Sequence, residues 1–332
     1  MNRGLNRISG VGLFFCVGVI LILAPIVEGQ GFTADHTWCT GDNADLYLSI
    51  PDSVKQDVMD NYRFYYHHTS HGGQILSGMV FMRDEEGWPD YATTLVTELS
   101  SHVGSDGDTS WAPSFRTYLN GHPECKIASI SWCWEHQYYT EAETQIYCDK
   151  MAELDDDYPN VTFVFQTGRL NGEGPEGNVY RHNNQIRAYC LANDRVLFDF
   201  ADIESWDPDG NYYPDESDAC GWCADWCADP LNECGDGCYC AHSHCFNCWQ
   251  KGRVWWLLMA RIAGWTFEDI PDYDINDDEV VNLLDILFLI EYYYQGGPAP
   301  DPLDRGDFDD DGDVDMMDIV QLVEYIYWPI DI

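Results

Sequence analysis

Residues 307–326 read DFDDDGDVDMMDIVQLVEYI, and residues 274–293 read DINDDEVVNLLDILFLIEYY. The two stretches start 33 residues apart and share one pattern. Asp307, Asp309, Asp311, Asp315 and Asp318 fall opposite Asp274, Asn276, Asp278, Asn282 and Asp285. These are positions 1, 3, 5, 9 and 12 of a twelve-residue loop in which alternating oxygens wrap a hard cation and position 12 closes the shell. Two calcium sites are therefore expected. Behind each loop, apolar residues recur at helical spacing: Ile286, Leu289 and Ile290, then Ile319, Leu322, Val323 and Ile326.

A loop followed by one helix, twice, with the turn GGPAPDP between them, resembles the type I dockerin domain over residues 267–332. The resemblance implies a small all-α fold, two calcium ions that complete it, and a cohesin domain on another protein as partner. Two positions depart from the family. Glu279 stands where the first loop turns sharply and the second has Gly312, which points to a weaker first site. At loop positions 10 and 11 the chain carries Leu283-Leu284 and Met316-Met317 in place of polar residues, so the expected partner surface is apolar.

Outward from this module, the chain opens with MNRGLNR and an apolar run, VGLFFCVGVILILAPIV, that ends in small residues near Gly29. Residues 1–29 read as a secretory signal peptide, and no later run is long and apolar enough to span a membrane. The mature protein is expected outside the cell or held at its surface through a cohesin. A formal charge of −42 repels nucleic acid phosphates and anionic membranes. Of fourteen cysteines, eight lie within residues 220–248. The pairs Cys220-x2-Cys223 and Cys245-x2-Cys248, with His242 and His244 nearby, have zinc-site spacing, but export favours disulfides over zinc.

Residues 30–266 are enough for one large domain. Short β-rich runs at 62–68, 126–132, 161–167 and 195–201 alternate with amphipathic stretches, and WQKGRVWWLLMARIAGW reads as a final apolar helix. This order predicts an α/β domain built on a doubly wound parallel sheet in three layers. Sites on such sheets lie beyond the strand C-termini. The residues there are polar and titratable: His67, His68, Ser70 and His71, then Gln137, Asn171, Asp199 and Asp202. Adjacent on one strand, His67 and His68 point to opposite faces.

The layout is similar to that of the SGNH (GDSL) hydrolase superfamily, in which a serine follows the first strand and a histidine precedes the last helix. The matching residues are Ser70 in YYHHTSHGGQI and His242 in CAHSHC. The resemblance implies Ser70 as nucleophile and His242 as its base. Asp236 or a strand-four acid, Asp199 or Asp202, would orient the histidine, and Gly72, Gly73, Gln137 and Asn171 would line an oxyanion-holding cleft. The family's Gly-Asp-Ser and Gly-x-Asn-Asp motifs are missing, and Tyr239 stands where an aspartate precedes the histidine by three. The function expected is that of a secreted serine esterase acting on acylated polysaccharide. A metal-dependent hydrolase using His67 or His68, His71, Asp202 and His242 is one alternative. A non-catalytic binding or scaffold protein is the other.

Overall fold

The computed structural model describes residues 31–91, 96–100, 107–131, 135–232, 234–235, 237–266, 275–276, 283–300, 303–308 and 312–327. The expected signal peptide, Asp236, Glu279 and the loop ligands Asp274, Asp278, Asn282, Asp309 and Asp311 lie outside the described residues. Among the described residues, no helix is long and apolar enough to cross a membrane.

The frame of residues 31–266 is a parallel sheet of six strands: β1 (Thr33–Ala34), β2 (Arg63–His68), β3 (Val96–Ser100), β4 (Cys125–Ser131), β5 (Thr162–Gln166) and β6 (Val196–Phe198). Their spatial order is β1-β6-β5-β4-β2-β3. The four β-rich runs read from sequence are β2, β4, β5 and β6. The last stops at Phe198, short of the expected end at 201, because the Asp199 carboxylate caps the next helix by accepting from Asp202 N–H.

Alternation along each strand divides the core in two. Phe64 and Tyr66 of β2, with Val164 and Phe198, pack against helices α2 (Gly73–Glu86) and α8 (Cys245–Ile262). Tyr65, Ala128, Ile130, Phe163 and Phe165 face the other way. There they meet α3 (Ala112–Gly121), α4 (Glu141–Asp157) and α5 (Asn178–Ala192). Helices thus cover both faces of the sheet, as expected for the α/β class. α4 starts at a capping box, with Thr140 Oγ1 accepting from Glu143 N–H and Glu143 Oε2 accepting from Thr140 N–H.

α8 is buried from Cys245 to Ala260, and from Val254 to Ala260 its sequence is apolar all round. It crosses α2 at a glycine pair. A Cβ on Gly78 would lie 1.9 Å from the Cys248 carbonyl oxygen, and one on Gly252 2.5 Å from the Gly78 carbonyl carbon. Only glycine at both positions lets the backbones come this close. Helices α1 (Asp52–Asn61), α6 (Phe200–Glu204) and α7 (Gly221–Trp226) complete the domain.

The cysteine-rich stretch is a disulfide framework: Cys220–Cys223, Cys227–Cys234, Cys238–Cys245 and Cys240–Cys248. The thiols of Cys39, Cys125, Cys148 and Cys190 are free and buried. In the C-terminal module, α9 (Leu283–Ile290) and α10 (Met316–Tyr327) pack through Ile286, Leu289, Ile319 and Leu322. These are residues of the helical stripe read from sequence.

Candidate functional site

The strand order reverses beside β2, where β3 lies on one side and β4 on the other. In open parallel sheets such a reversal leaves a crevice beyond the strand ends. The chain leaving β2 there is Thr69-Ser70-His71, followed by the turn into α2. Ser70 is exposed, and its carbonyl accepts from Gly73 N–H at 3.2 Å. Gly72 has no room for a side chain, because a Cβ would lie 2.5 Å from His68 Cβ and 2.8 Å from Ser131 Cβ. The turn is therefore pressed onto the end of β4, and Gly73 spends its N–H within it.

His71 is buried beside Ser70, and its Nε2 meets the Asp218 carboxylate at 2.5 Å. Arg169 Nη1 donates to the same carboxylate at 3.3 Å. Burial works against the charge on Asp218, but the His71 hydrogen bond and the Arg169 guanidinium outweigh it and hold the carboxyl below its ordinary value. The His242 ring stacks on His71 with centroids 4.4 Å apart and planes at 16°. Sequence reasoning singled out His242, as a base for Ser70, and passed over Asp218, one of several acids in PDESDAC with nothing local to mark it.

His242 is exposed, and its backbone φ of 65° is in the left-handed region, unusual for any residue but glycine. Its loop is held from both sides. Gln74 Nε2 donates to Ala241 O at 2.6 Å, and Asn247 Nδ2 donates to Ser243 Oγ at 2.7 Å. Both amides converge on the fully buried Lys251, whose Nζ donates to Gln74 Oε1 at 2.6 Å, Glu204 Oε1 at 2.8 Å and Asn247 Oδ1 at 3.0 Å. Burial lowers the Lys251 pKa, and Glu204 opposes that shift. Disulfides Cys238–Cys245 and Cys240–Cys248 close the same loop.

Other expected site residues are placed elsewhere. Asp202 is engaged by His36 and not by His242: its Oδ2 meets His36 Nδ1 in a short contact and accepts His36 N–H at 3.0 Å. The reason is its position after β6, next to β1 and the segment that follows it. Gln137 offers its backbone carbonyl to Asn178 Nδ2 at 3.2 Å. Asn171 and Asp202 line one cavity of about 240 Å³ with Tyr180, Arg187 and Tyr212. Of the metal alternative's residues, His71 and His242 stack on one another, while Asp202 is bonded to His36. His67 bonds the Tyr65 hydroxyl at 2.9 Å on one face of the sheet, and His68 stacks on Tyr66 on the other. Among the described residues the histidine-containing groups close enough to share a metal are Asp35–His36–Asp202 and Cys227–Cys234–His244. In the second, the two sulfurs are joined as a disulfide.

In the C-terminal module, the position-12 carboxylates Asp285 and Asp318 are buried. Asp285 Oδ1 accepts from Ile275 N–H at 2.9 Å, while Asp318 accepts from Phe308 N–H at 2.6 Å and Asp315 N–H at 2.7 Å. Gly312 takes φ 93°, as the sharp turn of such a loop requires, and donates to Asp307 Oδ2 at 2.9 Å. Carboxylates folded inward in an all-oxygen set fit a hard divalent ion. Leu283, Leu284, Met316 and Met317 are exposed, each by about half its surface.

Residues 272–327 match the family model of the dockerin type I domain. No curated protein matches the chain.

The His36–Asp202 pair sets a pH window for stability. Burial opposes both charges, yet their hydrogen bond lowers Asp202 and raises His36 from their ordinary values. The aspartate's contribution holds above its unfolded pKa of about 3.9 and is lost as pH falls through the lower folded value. The histidine's is complete below its unfolded pKa of about 6.5 and is lost as pH rises through the higher folded value. Melting temperatures of wild type and His36→Gln across roughly pH 3 to 9 are expected to converge at the alkaline end. A constant gap would contradict the pairing.

Proposed function

We propose that the central domain is a serine hydrolase that removes acyl groups from polysaccharide, exported from the cell and held by its C-terminal module on a cohesin-bearing partner. The observation that carries this reading is the His242 ring stacked on His71, the neighbour of Ser70, at the reversal of the sheet. The serine after β2 and the histidine before α8 keep the likeness to SGNH hydrolases in layout. Ser70 Oγ attacks the acyl carbonyl while His242 takes its proton. The bond from the acyl carbon to the sugar oxygen breaks as His242 returns that proton to the leaving oxygen. Water, deprotonated by the same histidine, then frees the acid and restores Ser70. The start of α2, with Gly72 N–H, is the candidate donor for the oxyanion.

The orienting carboxylate in this reading is Asp218, which acts through His71, and Asp202 serves the neighbouring cavity. His71 and Asp218 are positioning residues: they fix the face against which His242 rests. Calcium fits Asp307, Asp315 and Asp318 of the second loop and Asn276 and Asp285 of the first. Bound there, it would neutralise clustered carboxylates and hold each loop against its helix. The exposed pairs Leu283-Leu284 and Met316-Met317 form the partner surface.

Ser70→Ala and His242→Ala are each expected to lower hydrolysis of p-nitrophenyl acetate and acetylated xylan by about a thousandfold or more, because nucleophile and base act as a unit. Asp218→Asn should cost roughly a hundredfold and shift the pH profile, while Asp202→Asn stays within about tenfold of wild type. Equal losses at Asp202 and Asp218 would overturn the assignment, and full activity of Ser70→Ala would overturn the mechanism. For the partner, immobilised cohesin modules should capture the full chain in calcium and release it on chelation. Replacing Leu283, Leu284, Met316 and Met317 together by aspartate should weaken capture by tenfold or more, since burying even one such side chain is worth about 1.5–3 kcal/mol. Capture unaffected by these changes would move the interface elsewhere.

A further inference from the structure

The cavity of about 240 Å³ beyond β5 and β6 is not used in the chemistry above. At about 30 Å³ for each water, it has room for about eight, which suits a single sugar ring. Its charged groups are largely closed on one another. Arg187 donates to both oxygens of the buried Asp199, at 2.5 and 2.8 Å, and His36 is joined to Asp202. Among the described residues of its wall the cation is Arg187, spent on Asp199, and Glu216 adds negative charge. Phosphate, sulfate and carboxylate ligands are disfavoured, whereas an uncharged polyol is not.

The remaining groups suit such a ligand. Tyr180 and Tyr212 bring two phenol groups to the wall. Asn171 Oδ1 accepts from Glu173 N–H at 3.2 Å, which fixes the amide and leaves its NH2 to donate. Tyr212, nearly half exposed, stacks on Trp206 at 4.6 Å, and Trp206 stacks on His36 at 4.2 Å. Three layered rings make a rigid platform, and the outer face matches the C–H face of a pyranose. The ordering cost is met before a ligand arrives.

One wall of the cavity is Leu170, next in sequence to Arg169. Its carbonyl accepts from Arg169 Nη1 at 2.7 Å and from Asp218 N–H at 3.2 Å, and its N–H donates to Glu204 at 2.8 Å. The cavity and the His71–Asp218 pair therefore flank one short segment.

We infer that this cavity is a subsite for one uncharged pyranose ring of a polysaccharide chain that continues across Leu170 toward Ser70. The course of the chain rests on the hydrolase reading; the binding of the ring does not. The test is calorimetric titration of the full chain, in calcium, with cellobiose, xylobiose and mannobiose, and with inorganic phosphate as the anionic probe. At least one disaccharide is expected to bind. Tyr212→Ala and Asn171→Ala should each weaken it by tenfold or more, while Tyr212→Phe, which keeps the stack, stays within about fivefold. Ser70→Ala should leave affinity within twofold, and phosphate should not compete. Melting temperatures within a few degrees of wild type qualify each variant. Binding of none of the sugars, wild-type affinity in Tyr212→Ala, or displacement by phosphate would each overturn the subsite. Sugar binding without ester hydrolysis would sustain the subsite and sink the hydrolase; hydrolysis without this binding would do the reverse.

Discussion

A fully buried ammonium, Lys251 on α8, has to be satisfied where no water reaches it, and the structure around the sheet's C-terminal edge follows from how this is done. Removing such an ion from water costs on the order of several kcal/mol, which its partners must offset. Glu204 supplies the opposite charge, and Gln74 and Asn247 supply neutral acceptors. Those partners come from α2, α6 and α8 itself, so satisfying one side chain fixes three helices against each other. The remaining valences of the same groups then reach outward to Ala241, Ser243 and Leu170. The His242 loop and the wall shared with the cavity are thus tied to the core through a polar network, while disulfides limit the loop from outside. This is how an exposed histidine with a left-handed backbone comes to be held in one place.

Much of the architecture is legible in residue patterns, and the reasons for the exceptions are physical. β2, β4, β5 and β6 stand out as β-branched and aromatic runs because each is covered on both faces. β1 has two residues and no pattern to read, and β3, VTELS, is a polar edge strand with none of the continuous apolar character of its neighbours. Ser70 and His242 were singled out in the sequence by where they stand relative to strands and helices. Asp218 was not, because the contact to His71 joins residues 147 positions apart and only the folded chain selects it among nearby acids. His36 escaped notice for the same reason. Asp202 was read as a strand-end residue, but the strand stops at Phe198 and Asp202 stands in α6, bonded to His36 beyond β1. The dockerin-like module was the easiest part to read, since loop spacing and helix stripe are both local.

The two halves of the chain handle negative charge differently. In the C-terminal module the described carboxylates Asp285 and Asp318 are buried and accept from loop N–H groups. In the α/β domain three acids are matched by basic groups, Asp199 with Arg187, Asp218 with His71 and Arg169, and Glu204 with Lys251, while the buried Asp207 accepts from Asn211 and the Tyr213 hydroxyl. The matching leaves the proposed sugar cavity free of unpaired cations and gives the site beside Ser70 its fixed carboxylate. A net charge of −42 is in this sense mostly surface and loop chemistry, and the crevice is set by a few closed pairs.

Whether Ser70 is a working nucleophile can be tested without knowing the substrate. A fluorophosphonate reacts with serines activated by a neighbouring base, and mass spectrometry of the digested protein locates the adduct. Phosphonylation of the peptide containing Ser70 is expected in wild type, absent in Ser70→Ala and slowed at least a hundredfold in His242→Ala, in keeping with the joint action of nucleophile and base. An unlabelled Ser70, or labelling at the same rate without His242, would contradict the catalytic assignment.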